Sequence, residues 1–312
     1  MKTLICGLWH VHAESYYRTA ADFGEIVGVY DPDEARRRAF CERFGLRELQ
    51  SADEMLHCGA DSAIVCISTD THTEMILMLA NAGIDIFTEK VLALTSAECE
   101  KIAAAIEENG VRFVISFPHK CNGGIRAVKW IADNCELGKL NYFRFRNVHN
   151  GSTGNWLPPH FYCKKECGGG AMIDLGAHGM YLAEWFLGMP TDARSVFTRA
   201  CSNPETEKKN ADRVEDNAIT LLRYPNGAIA VNETGFVSSG YPMILELGGE
   251  RGRAVYDGER VTKTVDGKTE EVPFEPDLPS PLECFCRHID IPGCGITEAL
   301  HLTQLMELAY AD

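Results

Sequence analysis

Asp174 and His178 stand four residues apart in the run Gly168-Gly169-Gly170-Ala171-Met172-Ile173-Asp174-Leu175-Gly176-Ala177-His178. Residues at i and i+4 share one face of an α-helix. A helix opening after the three glycines would therefore aim a carboxylate and an imidazole into one space. That pairing suits removal of a proton from an alcohol. The chemistry also needs an acceptor for the hydride, and the N-terminal third of the chain offers a place for one.

There, a short apolar run over 3–6 leads into a turn at Gly7, a helical stretch over about 10–21, and a second strand ending at Asp31. This is the layout of a dinucleotide site, in which the acid closing the second strand accepts hydrogen bonds from ribose hydroxyls. A carboxylate there also repels a 2′-phosphate, so NAD is expected in preference to NADP. The other role open to Asp31 is that of a turn or capping residue before Pro32. The turn itself reads Gly7-Leu8-Trp9-His10-Val11-His12, with Trp9 and His12 where Gly-x-Gly-x-x-Gly has glycines. His10-x-His12 would suit a metal only with further ligands that the sequence does not place, so no metal is expected.

The elements that must position these residues fall into two patterns. Up to about residue 118, strands (3–6, 26–30, 63–67, 84–87, 111–117) alternate with helices (10–21, 33–44, 73–82, and one opened by the capping box Thr95-Ser96-Ala97-Glu98). Such alternation implies a parallel sheet covered on both faces. Beyond it come a helix over 122–134, a long strand over 139–148 and the Asp174/His178 helix. An antiparallel meander over about 194–256 follows, then a hairpin at Asp266-Gly267 and a closing helix over 297–309. The expected domains are 1–118 for dinucleotide binding and 119–312 for substrate binding and oligomerisation.

Bulk composition narrows the partners. The 312 residues carry a formal charge of −15, which argues against nucleic acid or an anionic membrane surface. No apolar run approaches the ~20 residues that span a bilayer. The thirteen cysteines form no Cys-x-x-Cys pair, and several sit in apolar runs as small hydrophobes. With no signal-peptide pattern at the start, a reducing cytoplasm is expected.

Three blocks resemble the glucose–fructose oxidoreductase/inositol dehydrogenase (Gfo/Idh/MocA) family. Thr88-Glu89-Lys90-Val91 resembles its Glu-Lys-Pro segment. Gly168 to His178 matches its Gly-Gly-Gly-x-x-x-Asp-x-Gly-x-His motif in full, and Thr69-Asp70-Thr71-His72 resembles the loop whose His lies beside the nicotinamide ribose. The resemblance implies an α/β protein: a Rossmann domain followed by an α/β domain with a large open, mostly antiparallel sheet. It implies hydride transfer between NAD and a carbinol carbon of a sugar, cyclitol or related polyol, by a homodimer or homotetramer.

By the same resemblance Lys90, Asp174 and His178 form the catalytic group: His178 takes the hydroxyl proton, Lys90 hydrogen-bonds that oxygen, and Asp174 binds a neighbouring hydroxyl. Cofactor contacts are implied for Gly7, Leu8, Trp9, His10, Val11, His12, Asp31, Ser68, Thr69, His72 and Glu89. Lys120, His149 and Trp156 are the substrate-side candidates. Three departures stand out. Val91 replaces the family's proline, so a trans peptide is expected after Lys90; Ile67-Ser68 replaces Thr-Pro; and Trp9 narrows the pyrophosphate cleft. Two other readings remain open, an NAD-retaining hydrolase or epimerase acting by transient oxidation, and a non-catalytic sugar- or nucleotide-binding protein.

Overall fold

A computed structural model describes residues 1–240 and 243–311. The chain divides into two compact units, Met1–Ser116 with Pro279–Thr303, and Phe117–Leu278 with the chain from Gln304 onward. Pro279–Thr303 thus differs from the expected assignment to the second domain. The reason lies at the edge of the first sheet, where an open strand leaves backbone donors to be satisfied. The Ile115 N–H donates to Cys294 O at 2.9 Å, and the Arg112 guanidinium reaches Phe285 O at 2.6 Å.

In the first unit, β1 (Lys2–Cys6), α1 (Ala13–Phe23), β2 (Glu25–Tyr30), α2 (Glu34–Phe44) and α3 (Ala52–Leu56) are followed by β3 (Ser62–Val65), α4 (His72–Asn81), β4 (Asp85–Thr88), α5 (Ser96–Asn109) and β5 (Phe113–Ile115). The five strands form a parallel sheet in the order β2-β1-β3-β4-β5. An isolated bridge from Val29 to Glu48 extends it beyond β2. Leu4, Ile5, Ala63, Ile64, Val65, Ile86 and Phe87 are buried, the continuous apolar runs that a sheet covered on both faces requires. Local rules place the helix ends. The Thr95 hydroxyl and Glu98 carboxylate close a reciprocal capping box on α5, and Asp33 caps α2.

The second unit contains α6 (Gly123–Asp133), β6 (Leu140–Val148), the short α7 (Lys164–Cys167), α8 (Ala177–Leu187), β7 (Asp192–Thr198), α9 (Pro204–Lys209), β8 (Asn217–Arg223), β9 (Ile229–Gly235), β10 (Ile244–Gly249), β11 (Gly252–Tyr256), β12 (Val261–Val265) and β13 (Lys268–Val272). After these come α10 (Pro281–Cys286) and α11 (Ile296–Tyr310). The eight strands run in the order β13-β12-β11-β10-β6-β9-β8-β7, mostly antiparallel, with β6 and β9 a parallel pair. One face of the sheet, carrying Phe143, Phe145, Ala230, Asn232, Leu245 and Leu247, is buried; the α8 segment packs there against β6 and β9. The other face leaves Val196, Ile219, Leu221 and Ile229 exposed. Among the described residues, no helix is long and apolar enough to cross a membrane.

Candidate active site

The dinucleotide half is built at the ends of β1, β2 and β3. Gly7 sits at φ +95°, and a Cβ there would come within 2.2 Å of Ile67 Cγ2 and 2.5 Å of Ile67 N. Only glycine lets the turn run this close to β3. The Trp9 and His10 N–H groups both donate to Cys66 O, at 3.0 and 3.1 Å, pinning the turn to the same strand. His12 provides no side-chain cap to α1, which leaves the start of that helix suited to an anion. Leu8 is buried, Trp9 partly so, and Val11 faces solvent.

Asp31 is 1% exposed, and its carboxylate accepts the Leu8 N–H at 2.6 Å and the Asp33 N–H at 2.8 Å. It therefore orders the Gly7–His12 turn. Burial raises its pKa, opposed by the Arg36 guanidinium and the two backbone donors. On the next loop, Ser68 Oγ donates to Asp70 Oδ1 at 2.6 Å, which shapes the turn containing Thr69. The His72 ring is buried between the Leu92 and Ile67 carbonyls, 3.1 and 3.2 Å from Nδ1 and Nε2. Burial lowers its pKa; a neutral ring in this position donates to one of the two carbonyls and packs against the other.

Glu89 and Lys90 follow β4, both buried. Burial alone would raise the Glu89 pKa; His10, His12 and Lys90 instead hold its carboxyl well below the usual range. The Lys90–Val91 peptide bond is cis, which corrects the trans bond expected with valine in place of proline. Residues 89 to 92 are all enclosed, so tertiary packing, not a proline at the next position, sets the isomer.

In the second unit, Asp174 lies in a π-helical turn, Met172–Gly176, that leads directly into α8 at Ala177. The α-helical spacing expected from Asp174 to His178 therefore does not apply. A π turn reaches i→i+5 and often marks a functional site. The sheet below accommodates it: Asn232 Nδ2 on β9 donates to Gly176 O at 2.7 Å. A Cβ on Gly179 would meet Asn232 Oδ1 at 2.0 Å. Both Asp174 and His178 are half-buried.

Four residues that the sequence did not single out shape this region. Glu215 Oε1 accepts the Gly170 N–H at 2.9 Å, the Met172 N–H at 3.0 Å and the Tyr310 hydroxyl at 2.6 Å. The Tyr310 oxygen accepts the Ile173 N–H at 3.1 Å. Tyr181 places its hydroxyl 3.0 Å from His178 Nδ1, and the His119 ring packs edge-on to His178 at 4.7 Å. None belongs to a short motif; only the buried positions of α8 hinted at Tyr181.

Lys120 is 3% exposed, with Nζ 5.3 to 5.8 Å from the ring centroids of Phe117, Tyr181 and Trp185. Its charge thus lies in an aromatic surround beside the Tyr181–His178 pair. His149 stacks on Phe236 at 4.9 Å and contacts the Trp156 ring at 4.7 Å. Trp156 is 53% exposed and donates from Nε1 to Asn150 Oδ1. His149 and Trp156 are therefore neighbours, and the indole is half-exposed.

With the fold and these residues in place, comparison with known proteins is direct. The chain matches the Gfo/Idh/MocA oxidoreductase family, NAD-binding Rossmann fold, over residues 1–117, and the Gfo/Idh/MocA C-terminal domain over residues 125–255. It belongs to that family. It is 26% identical over 258 residues to myo-inositol 2-dehydrogenase of Thermotoga maritima, covering 82% of this chain and 74% of that protein. It is 28% identical over 249 residues to the NAD(+) scyllo-inositol 2-dehydrogenase of Bacillus subtilis, covering 78% and 69%. Levoglucosan dehydrogenase, solved with NADH and levoglucosan, superposes with a TM-score of 0.79 at 14% identity over 97% of this chain and 94% of the other. That last likeness is one of fold.

Proposed function

We propose that this chain is an NAD-dependent dehydrogenase of a sugar, cyclitol or related polyol. The observation that carries the reading is the buried hydroxyl of Tyr181 held 3.0 Å from Nδ1 of His178, since a contact at one ring nitrogen orients a histidine base and selects its tautomer. In this reading His178 takes the hydroxyl proton. Asp174 binds and orients a neighbouring hydroxyl, and Lys90 donates to the reacting oxygen as charge develops on it.

The first unit fits a dinucleotide: the close approach at Gly7, the start of α1 without its own side-chain cap, and the acid at the end of β2 are all present. We assign its binding to the Gly7–His12 turn with Asp31, Ser68, Thr69, His72 and Glu89, and expect NAD over NADP because of Asp31. When bound, the nicotinamide accepts the hydride from the carbinol carbon. Lys120, His149 and Trp156 are assigned to the substrate side, the exposed indole offering a face for a sugar ring. Relatives that are dehydrogenases favour this over a non-catalytic role.

We further assign the open face of the eight-stranded sheet to self-association and the enzyme to the cytoplasm. Exposed Val196, Ile219, Leu221 and Ile229 support the first; the cysteines, none of them disulfide-bonded, support the second. The test is an initial-rate screen of inositols, hexoses and their derivatives with NAD and NADP, read as reduced nicotinamide. Turnover by the wild type that falls roughly 10²- to 10⁴-fold in His178→Ala is expected; unchanged turnover in that variant would overturn the mechanism.

A further inference from the structure

His10 and His12 meet a third side chain that sequence spacing did not supply. His12 Nδ1 lies 2.7 Å and His10 Nδ1 3.5 Å from the same oxygen, Oε1 of Glu89. The three ligand atoms all fall within 4.8 Å of one another. An ion held at about 2.0–2.1 Å in tetrahedral geometry separates its ligand atoms by about 3.3 Å. The two measured spacings straddle that value, so modest side-chain rotation suffices.

We propose that His10, His12 and Glu89 bind one divalent transition-metal ion of the zinc class, with a coordination position left open on the solvent side of His12. Two imidazoles and a carboxylate suit zinc, cobalt or nickel; magnesium and calcium prefer all-oxygen shells. His10 Nδ1 accepts the His12 N–H at 3.3 Å, a long contact that the ring gives up when this nitrogen turns to a metal, which needs it unprotonated. Glu89 is 2% exposed and already oriented. Its Oε2 accepts the Lys90 N–H at 3.1 Å, and its Oε1 accepts the Tyr16 hydroxyl, itself 2.9 Å from Ser116 Oγ. Such outer contacts hold metal ligands in place.

The turn is also held at both ends, by Cys66 O at Trp9 and His10 and by the start of α1 at Ala13. The helix end places roughly half a positive charge nearby, which opposes a cation. The full charge of a directly bound carboxylate outweighs it. His12, half-exposed, leaves room for water or an anionic oxygen as the remaining ligand. The expectation of no metal rested on the missing partner, which lies 77 residues further along the chain.

The test titrates untagged, full-length, reduced protein with Co²⁺, followed by Zn²⁺ displacement. One equivalent of Co²⁺ should bind with visible d–d bands and no thiolate charge-transfer band, and Zn²⁺ should displace it. His12→Ala and Glu89→Gln should each weaken binding at least tenfold. His12 is half-exposed, so its variant keeps the fold, checked by circular dichroism. No binding, equal affinity in His12→Ala, or a thiolate band (Cys135 is exposed) would overturn the site. No catalytic readout enters, so the result stands apart from the dehydrogenase reading.

Discussion

The phenolic oxygen of Tyr181 lies 3.0 Å from Nδ1 of His178, three residues earlier on α8, while also accepting the His119 backbone N–H at 3.2 Å. The hydroxyl thus ties the imidazole to the backbone at His119, and its loss lets the ring turn. Tyr181→Phe should reduce kcat roughly tenfold, less than loss of the base itself. An unchanged kcat with a lowered urea midpoint would mean Tyr181 serves packing alone.

Glu215 gathers two backbone N–H groups and the Tyr310 hydroxyl on one buried carboxylate oxygen. Glu215→Ala leaves those donors without their acceptor, at about 1–3 kcal/mol for each one that water does not reach. We expect a loss of roughly 3 kcal/mol in urea unfolding. A change below about 0.5 kcal/mol, the range of ordinary surface substitutions, would show that the π turn is held by other contacts.

Asp31 is a buried acid whose pKa is raised, first by burial. A raised folded-state pKa means the folded protein binds that proton more tightly. The linked stability is present below the unfolded-state carboxylate pKa and lost as pH rises through the folded one. The stability of wild type relative to Asp31→Asn should therefore improve as pH falls from neutrality into the carboxylate range. Urea midpoints of both proteins at pH 7 and pH 4 check the sign; a gap moving the other way contradicts it. The same variant should lose discrimination between NADH and NADPH in a fluorescence titration.

Ile219 and Leu221 alternate with the buried Thr220 and Leu222 on β8, so both point to the open face of the sheet. Their neighbours there include Val196, paired with Ile219, and Val231, paired with Leu221. Ile219→Asp with Leu221→Asp should convert an oligomer to monomers by light scattering, with the fold intact by circular dichroism. A wild-type monomer would remove the assignment of this face.

Much of the first unit was legible because its rules are short-range. Thr95 and Glu98 cap α5 within four residues, Gly45 ends α2 in the left-handed conformation, and the buried runs of β1, β3 and β4 match the apolar runs read from sequence. The candidate site was legible only as a list of residues. Asp174 and His178 were found, but the turn joining them is π-helical, since Asn232 and Glu215 shape it from positions far along the chain.

The amino-acid sequence alone determined the order of strands and helices, the family and the chemically equipped side chains, because periodicity, caps and motifs act over a few residues. Tertiary structure decided the rest. The cis bond after Lys90, the return of Pro279–Thr303 to the edge of the first sheet, the burial of His72 between two carbonyls and the meeting of His10, His12 and Glu89 all depend on surroundings brought together by packing. Burial makes each of these polar contacts costly to leave unmade, and no short stretch of chain contains both sides of it.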